Sequence, residues 1–393
     1  MSDPLLSIDG ARALILAEAR PRTPVALAFE AALGRVLAQD VTAAADVPRF
    51  AGSAMDGFAI RSGAAGRRLR LVGESRAGAP FGGEVGDGEA VRISTGAALP
   101  AGADAVLQQE LVEEDGAQIV LRDAVDPGRN VRAPGEDLRA GEIVLQRGRR
   151  LGPADLGVAV HAGLAALQCA PQPRLAVLAT GDELRPPGAA LEPGQIHNSN
   201  LVTLAALAER EGCAVALAQQ VPDDPAATRA AIAQAIAAAD VVILSGGVSV
   251  GPHDHVKPAL EALGVQERFW RVALRPGKPT WFGVTGDTLV FGLPGNPVSA
   301  MVTFLLFARP AIAAIEGVVD AAVPGHVRLG EPLPRDPRRD ECARVRIADG
   351  LAYATGPQGS HVLSSMALAD GLAVVPRGEG ELPAGTEVEL LEI

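Results

Sequence analysis

The fold is decided by the stretch DVVILSGGVSVGPHDHVK at residues 240–257, and by RPGKPTWFG (275–283) and FGLPGNPVSA (291–300) that follow it. Apolar runs that lead into glycine-rich turns are typical of buried strands in an α/β sheet. Lys257 and Lys278, the only lysines in the chain, both lie beside such turns. Because lysine is a compact cation with rotatable donors, the pattern predicts a phosphate or oxyanion site.

The region around this stretch alternates apolar strands with amphipathic helices. RLAVLAT (174–180) is followed by a helix over 199–210, a strand over 214–219 and a helix over 224–239. Such alternation predicts a three-layer α/β domain over residues 171–317, with a mainly parallel sheet covered on both faces. Ligands bind such sheets at the carboxyl ends of the strands, where the glycine turns fall.

The rest of the chain predicts three further parts of a multidomain α/β protein. Residues 46–140 carry short β-type runs between Gly and Pro clusters and indicate an inserted β-rich module. Residues 1–45 with 141–170 form an elongated helical and linker domain, interrupted by that insertion. Residues 318–393 again show short β-type runs and predict a small barrel-like domain.

Several element boundaries are also predicted. A helix over 7–20 has Ser7 as its cap, and a second short helix covers 28–37. A further strand of the sheet runs through 269–274. A long apolar helix begins at Asn296 and is kinked near Pro310, because proline removes a helical N–H.

Composition excludes several functions. With 393 residues, a formal net charge of −12 and pI near 5.1, the chain has no general basic face for nucleic acid. No secretory signal is apparent at the start, and Arg309 and Pro310 break the longest apolar run, so we expect no membrane segment. Three scattered cysteines without a CxxC pattern favour a reducing cytoplasm over a disulfide framework.

Carboxylates follow several elements of the predicted sheet. Asp182 and Glu183 come after the strand at 174–180, and Asp223, Asp224 and Asp254 follow other elements. Carboxylates gathered at one sheet end repel one another unless a divalent cation lies among them. The structural alternative is that Asp224 caps a helix and Asp182 a turn.

The remaining motifs each allow a simpler interpretation. The glycine turn at 245–251 matches neither a Walker A loop nor GxGxxG, so it could be only a connector. RPGKP (275–279) could be a surface hairpin, although its prolines would also hold the Lys278 ammonium in place. SAMDGF (53–58) and RISTGA (92–97) read as turns when each is taken alone.

Taken in order, these motifs resemble the molybdopterin molybdenumtransferase family, the MoeA type also seen as the gephyrin E domain. The motifs that carry the resemblance span most of the chain: SAMDGF (53–58), RISTGA (92–97), PGED (134–137), TGDEL (180–184), PGQIHNSN (193–200), SGGVSVGPHDHVK (245–257), RPGKP (275–279) and LPGNPVSA (293–300).

The resemblance implies a function in molybdenum cofactor biosynthesis. It implies four domains and a homodimer whose active site is completed by both subunits, with Mg²⁺ as cofactor. The substrates would be molybdate and adenylylated molybdopterin, with release of AMP. A molybdopterin adenylyltransferase would deliver the substrate, and molybdoenzymes or cofactor carriers would receive the product.

The resemblance also implies site residues. The implied catalytic residues are Asp56, Thr95, Asp137, Glu183, Asp254 and Lys278, and the implied metal ligands are Asp182, Glu183 and Asp254. The implied substrate-binding residues are Thr180, Gly181, Asp182, Asn198, Ser199, Asn200, Ser245, Gly246, Gly247, Val248, Ser249, Gly251, Lys257, Arg275, Pro294, Gly295, Asn296 and Ser299. Arg339, Arg344 and Ser360 are further candidates for molybdate contacts.

Two other functions stay open from the sequence. An α/β domain with the same glycine turn could serve a molybdopterin adenylyltransferase, although the extra β-rich parts argue against it. A dimeric scaffold without turnover is also possible, although Asp182, Glu183, Asp254 and Lys278 are all present. Arg275 departs from the lysine often found at this position of the family's turn, which changes the geometry of anion binding there.

Overall fold

The computed structural model of the protein describes residues 5–247, 255–318 and 325–393. The predicted fold class is confirmed: a three-layer α/β domain is combined with a β-rich module, a helical and linker segment, and a C-terminal barrel.

The first 170 residues build two of these parts. The chain begins with α1 (Ile8–Glu18), β1 (Val25–Leu27), α2 (Phe29–Ala32) and β2 (Val41–Thr42). The β-rich module follows with β3 (Gly52–Ser53), β4 (Gly57–Ile60), β5 (Arg68–Ser75), β6 (Glu89–Ile93), β7 (Ala105–Gln108), a 3₁₀ turn (Gln109–Leu111), β8 (Val112–Asp115), β9 (Gln118–Leu121) and β10 (Val131–Arg132). The chain then forms β11 (Ile143–Leu145), α3 (Pro153–His161) and β12 (Leu167–Cys169).

The segments before and after the β-rich module pack on each other. β1 pairs antiparallel with β12, and β2 pairs with β11. Ala32 and Leu37 from the first segment share a hydrophobic core with Leu151 and Ala159 from the second. The module itself has a six-stranded sheet in the order β7-β4-β6-β5-β9-β8, with its own apolar core.

The helix predicted over 28–37 is wrong beyond its first turn. α2 ends at Ala32, and Val36 and Leu37 instead form isolated bridges with Arg150 and Cys169. Both side chains are almost fully buried. Tertiary pairing has therefore overridden the local helical pattern.

The α/β domain follows. Its elements are β13 (Arg174–Thr180), β14 (Leu184–Arg185), β15 (Ile196–His197), α4 (Ser199–Arg210), β16 (Ala214–Val221), α5 (Pro225–Ala238), β17 (Val241–Ser245), α6 (Val256–Ala262), β18 (Gln266–Trp270), β19 (Leu274–Arg275), β20 (Trp281–Thr285), β21 (Thr288–Leu293), α7 (Pro297–Thr303), a π-helical turn (Phe304–Ala308) and α8 (Arg309–Glu316). The main sheet has the order β16-β13-β17-β21-β20-β18, and its first four strands are parallel. α5 and α6 cover one face, while α1, α4, α7 and α8 cover the other.

The strand predicted through 269–274 is also wrong in its extent. β18 ends at Trp270 because Arg271 adopts a left-handed backbone with φ of 78°. Leu274 and Arg275 then pair in parallel with Asp340 and Glu341 of the C-terminal barrel. The RPGKP turn is therefore attached to both domains.

The long apolar helix predicted from Asn296 is present and runs to Glu316. The helix is irregular at a π-helical turn over Phe304–Ala308, just before Pro310. Proline has no backbone N–H, so Pro310 cannot donate a hydrogen bond to the Leu306 carbonyl. The Arg12 side chain donates to that carbonyl from Nε at 3.4 Å and pairs with Glu389 at 2.6 Å. The helix is long and apolar enough to cross a membrane, but 72% of that window is buried inside the protein. Its apolar character is that of a core helix.

The C-terminal part is a closed barrel. Its elements are β22 (Gly325–Leu329), β23 (Leu333–Pro334), β24 (Asp340–Ala348), β25 (Leu351–Ala354), α9 (Ser364–Ala367), β26 (Gly371–Val375), β27 (Glu381–Leu382) and β28 (Glu387–Glu392). The sheet has the order β19-β24-β25-β22-β28-β26, and an additional β24–β26 pairing closes it.

One buried carboxylate anchors the amino ends of the central strands. Asp240 is 5% exposed and accepts hydrogen bonds from the Arg174 backbone N–H at 2.8 Å and guanidinium at 3.0 Å. Arg22 lies 3.3 Å from the same carboxylate. Burial alone would raise the pKa of Asp240, but the hydrogen bonds from Arg174 and the charge of Arg22 hold it below its ordinary value.

This contact predicts a pH-dependent loss of stability in Asp240→Asn. The lowered folded-state pKa means that the ionised group stabilises the fold above about pH 4 and stops doing so as the pH falls through that lowered pKa. In urea unfolding at pH 7, we expect the substitution to cost about 1–3 kcal/mol, and the difference from the parent protein to shrink towards pH 3.

Asp87→Asn is the matched control, because Asp87 is 87% exposed beside Arg67 and should contribute less than about 1 kcal/mol. A cost for Asp240→Asn that stays constant from pH 7 to pH 3 would contradict the role of its charge.

Candidate functional site

A cavity of 540 Å³ opens at the carboxyl ends of β13 and β17. The sequence-predicted residues that line it are Thr180, Gly181, Glu183, Asn198, Ser199, Asn200, Ser245, Gly246, Gly247 and Gly295. The same side of the sheet therefore collects residues from TGDEL, HNSN, SGG and LPGNP. The sheet predicts this convergence, because parallel strands present their carboxyl ends at one edge.

Two asparagines in the wall carry buried polar atoms with no protein partner. Asn200 Nδ2 donates to Ser245 Oγ at 2.8 Å and to the Gly295 carbonyl at 2.7 Å, while its Oδ1 has no partner among the described residues. Asn198 caps α4, because its Oδ1 accepts a hydrogen bond from the Leu201 N–H. The Nδ2 of Asn198 has no hydrogen-bond partner among the residues that the structure describes. Buried polar atoms are nearly always satisfied, so these two are available to a bound molecule.

The floor of the cavity requires glycine. Gly246 and Gly247 have φ of 90° and 63°, which side chains other than glycine rarely adopt. A Cβ on Gly247 would lie 2.5 Å from Val256 Cγ2, and one on Gly246 would lie 3.0 Å from the Thr180 carbonyl oxygen. The backbone therefore forms the surface that a ligand would meet.

Three carboxylates lie in the wall of this cavity or beside it. Asp182 and Asp223 exchange hydrogen bonds, each backbone N–H donating to the other carboxylate at 3.2 and 3.1 Å. Glu183 and Asp223 line the cavity, whereas Asp182 lines a neighbouring one. Among the described residues no group of three metal-ligating side chains is gathered.

The basic residues of the central stretch do not line this cavity. Lys257 Nζ lies 3.2 Å from the ring centroid of Trp270, and Lys278 is exposed. Arg275 pairs with the buried Glu341 at 3.5 Å. Burial raises the pKa of Glu341, against the opposing charge of Arg275.

The other residues predicted near the start of α7 contact the C-terminal barrel or the core. Asn296 Nδ2 donates to Ser360 Oγ at 3.1 Å, and the Val298 N–H donates to the Ser360 carbonyl at 3.2 Å. Ser299 is buried, and Pro294 precedes the cavity-lining Gly295.

Arg344 is a fully buried cation. Its Nη2 donates to the carbonyls of Pro357 and Gly359, but Nε and Nη1 have no partner in the described parts of the chain. Burial lowers the pKa of Arg344, and nearby Glu341 opposes the shift. Arg339 instead pairs with Asp336 at 2.8 Å. Of the two arginines, Arg344 is the one with unused buried donors.

The predicted residues of the β-rich module lie in a different place. Asp56 Oδ1 accepts from the Thr95 N–H at 2.8 Å, so these two are brought together. Asp137 lies 3.3 Å from His161 and lines a second cavity of 460 Å³ that includes Ser53 and Gly96.

Four predicted residues, Val248, Ser249, Gly251 and Asp254, lie outside the described residues. Sequence reasoning missed His197 and Leu363 as lining residues. His197 stands within the HNSN motif and could have been included. Leu363 comes from the C-terminal domain, and no local signal marks it.

Family models match almost the whole chain. Residues 6–163 match "MoeA N-terminal region (domain I and II)", 176–314 match "Probable molybdopterin binding domain" and 326–393 match "MoeA C-terminal region (domain IV)". The fold and site thus define a molybdenum cofactor biosynthesis protein.

Curated relatives give the family. The chain is 37% identical over 401 residues to the molybdopterin molybdenumtransferase of Haemophilus influenzae, with 98% of each chain covered. It is 36% identical to the molybdopterin molybdenumtransferase 2 of Mycobacterium tuberculosis, with 94% of this chain and 95% of the relative covered. The crystal structure of the molybdopterin biosynthesis MoeA protein from Pyrococcus horikosii superposes with a TM-score of 0.86, 31% identity and 99% of each chain covered. The chain belongs to the molybdopterin molybdenumtransferase family.

The glycine floor generates a stability prediction. Gly247→Ala should cost about 2–4 kcal/mol, because it adds a clash with Val256 to an unfavourable left-handed backbone. Gly264→Ala is the matched control: its φ is also positive, at 74°, but nothing lies within 4 Å of the added methyl, so only about 1–2 kcal/mol is expected. Chemical unfolding measures both, and equal costs would show that the floor is not closely packed.

Proposed function

We propose that this chain inserts molybdenum from molybdate into adenylylated molybdopterin, releasing AMP and yielding molybdenum cofactor. The observation that carries the proposal is the cavity floor of Gly246 and Gly247, with the unpaired amide atoms of Asn198 and Asn200 in its wall. A glycine floor lets a phosphate approach the backbone closely because no side chain intervenes, and the two amides can pair with a polar heterocycle.

We propose that a magnesium ion binds beside this cavity, where the described carboxylates do not by themselves form a preformed three-ligand site. Asp182, Glu183 and Asp223 offer only oxygen ligands, which Mg²⁺ prefers. Asp254 is proposed as a further ligand by resemblance. When bound, the ion would neutralise charge on the phosphate oxygens. Without a cation, the negative charges of these carboxylates repel a phosphate. They can orient the phosphate only when a bound cation balances their charge.

Molybdate binding is proposed for the junction with the barrel. Arg344 offers buried donors without partners, and Lys278 is the exposed ammonium of the neighbouring turn. Ser299 lies in the first turn of α7 and Ser360 contacts Asn296 just before it, and each has a hydroxyl group that can donate a hydrogen bond. Arg275 contributes less free charge than the resemblance implies, because Glu341 already pairs with it. Arg339 is likewise occupied by Asp336.

The molybdenum itself requires no protein thiol. The soft dithiolene sulfurs of the pterin bind it, which suits their preference for transition metals. Burial raises the pKa of Cys213 to about 12, and it also raises the pKa of Cys169 and Cys342. These buried thiols stay protonated at neutral pH and do not compete for the metal.

The second half of the site is proposed to come from the neighbouring subunit of a homodimer. Asp56 and Thr95 are hydrogen-bonded together, and Asp137 lines its own cavity, away from the lining of the first one. We propose that these groups position the substrate's reacting phosphate and molybdate across the dimer interface. A molybdopterin adenylyltransferase supplies the substrate, and molybdoenzymes or carriers take the product, in the cytoplasm.

Reconstitution tests this function. The purified full chain, supplied with adenylylated molybdopterin, Mg²⁺ and molybdate, should form molybdenum cofactor and release AMP. Lys278→Ala should lower the rate about 10- to 100-fold, because a charged hydrogen bond to an oxyanion is lost. Arg68→Ala removes an exposed charge that lines neither cavity and should leave the rate unchanged.

Three other outcomes would change the conclusion. An unimpaired Lys278→Ala would remove this lysine from the mechanism. ATP-dependent adenylylation of free molybdopterin, without molybdenum insertion, would identify an adenylyltransferase. Binding of the adenylylated substrate with no AMP release under any condition would identify a scaffold.

A further inference from the structure

His197 lies in the wall of the 540 Å³ cavity, at the end of a short strand whose backbone is held on both sides. The Ile196 N–H donates to the Glu183 carbonyl at 2.9 Å. The Asn198 N–H donates to the Arg185 carbonyl, also at 2.9 Å. His197 stands between these two hydrogen bonds and is itself exposed. The neighbouring contacts therefore fix the backbone from which its imidazole ring extends.

One ring nitrogen of His197 is already used by the protein. Nδ1 lies 3.2 Å from the carbonyl oxygen of Pro186. Because a carbonyl oxygen only accepts, this hydrogen bond requires the hydrogen on Nδ1, and Nε2 of the neutral ring then carries a lone pair. Nε2 has no hydrogen-bond partner among the residues that the structure describes. His197 therefore supplies the cavity wall with one oriented acceptor.

The two asparagines that follow add one donor and one acceptor whose identities are fixed. Asn200 Nδ2 donates to the Gly295 carbonyl, which only accepts, so the free atom of this side chain is the acceptor Oδ1. Asn198 Oδ1 accepts from the Leu201 N–H, so the free atom is the donor Nδ2. Both free atoms are buried and unpaired within the described part of the chain. Residues 197–200 thus present two acceptors and one donor.

This set of atoms favours a nitrogen heterocycle over an anion. The oxygens of phosphate or molybdate are acceptors, and here they would face the lone pairs of His197 Nε2 and Asn200 Oδ1. An aminopyrimidine ring instead carries an amino group that donates beside a ring nitrogen that accepts. The amino group matches the two acceptors, and the ring nitrogen matches Asn198 Nδ2. Because the phosphate is assigned to the glycine floor, this wall is left for a ring.

We propose that His197 is a specificity-determining residue, whose Nε2 accepts a hydrogen bond from the amino group of an aminopyrimidine ring bound against Asn198 and Asn200. The inference rests on the proposed function, whose substrate contains two rings of this class, adenine and the pterin. Each has an amino group beside a ring nitrogen that accepts, so the experiment tests the two rings separately.

Ligand pairs that differ at this amino group provide the test. The full-length protein is titrated by calorimetry with AMP and with IMP, in which a carbonyl oxygen replaces the amino group of adenine. Pterin and lumazine form the second pair, because lumazine has a carbonyl oxygen in place of the pterin amino group. In one pair, the parent protein should bind the amino compound about tenfold more tightly, because the other compound places an acceptor against Nε2. That pair identifies the ring.

Substitutions separate Nε2 from the rest of the residue. His197→Asn keeps a donor for the Pro186 carbonyl but has no atom at the position of Nε2, so the preference should fall to about threefold or less. His197→Gln places an amide oxygen near that position and should retain a preference of about fivefold. His326→Asn is the matched control, because His326 is an exposed histidine of β22 that does not line the cavity. It should keep the preference of the parent protein.

Several results would overturn the inference. These are a parent protein without a preference in either pair, and a His197→Asn protein that keeps the parent preference. Equal loss of affinity for both members of a pair in His197→Asn would show a structural role only. Loss of the preference in His197→Gln to the same extent as in His197→Asn would remove the role from Nε2.

The proposed function fails by a different result. A preference that depends on His197, in a protein that inserts no molybdenum in the reconstitution assay, supports this inference and contradicts the proposed function. Failure to bind all four compounds overturns this inference, whereas the proposed function is decided by the reconstitution assay. Melting temperatures verify that each variant is folded.

Discussion

The buried carboxylate of Asp240 is the contact on which the position of the site depends. This carboxylate holds the start of β17 against β13 through Arg174. The backbone carbonyl of Asp240 also accepts a hydrogen bond from the Leu289 N–H of β21 at 3.0 Å. The strands then run in register, so that Ala179, Ser245 and Leu293 form one row across the sheet. Because these strands are parallel, the residues that follow their carboxyl ends meet at one edge of the sheet. The glycine floor and the asparagine wall follow from that geometry.

The helix from Pro297 to Glu316 connects the α/β domain to the barrel through contacts along its length. At its start, Asn296 contacts Ser360, and further along, Arg12 joins the Leu306 carbonyl to Glu389. Arg12 thus takes the place of the N–H that Pro310 lacks while pairing with the barrel. Two contacts along one helix fix the C-terminal domain beside the cavity, which explains how Leu363 reaches its wall.

The sequence predicted most of the sheet and the cavity floor because both depend on local patterns. Apolar strands mark β13 and β17, and glycine is needed where φ is positive. The errors arise where distant contacts decide: Leu37 pairs with Cys169 instead of continuing a helix, and Arg271 ends β18 to stack on Trp270. The presence of a lysine beside a glycine-rich turn could not show that Lys257 would lie over the indole ring of Trp270. Leu363 is 118 residues from Ser245 in the numbering and carries no motif.

We propose that a complete site combines the α/β domain of one subunit with the β-rich module of another. Co-expression of Asp56→Ala and Lys278→Ala chains with different tags allows the mixed dimer to be purified. Each variant alone should be nearly inactive, whereas the mixed dimer should regain about half of the parent activity, because one of its two sites then contains both intact residues. A mixed dimer that is as inactive as the Asp56→Ala and Lys278→Ala proteins alone would contradict a shared site.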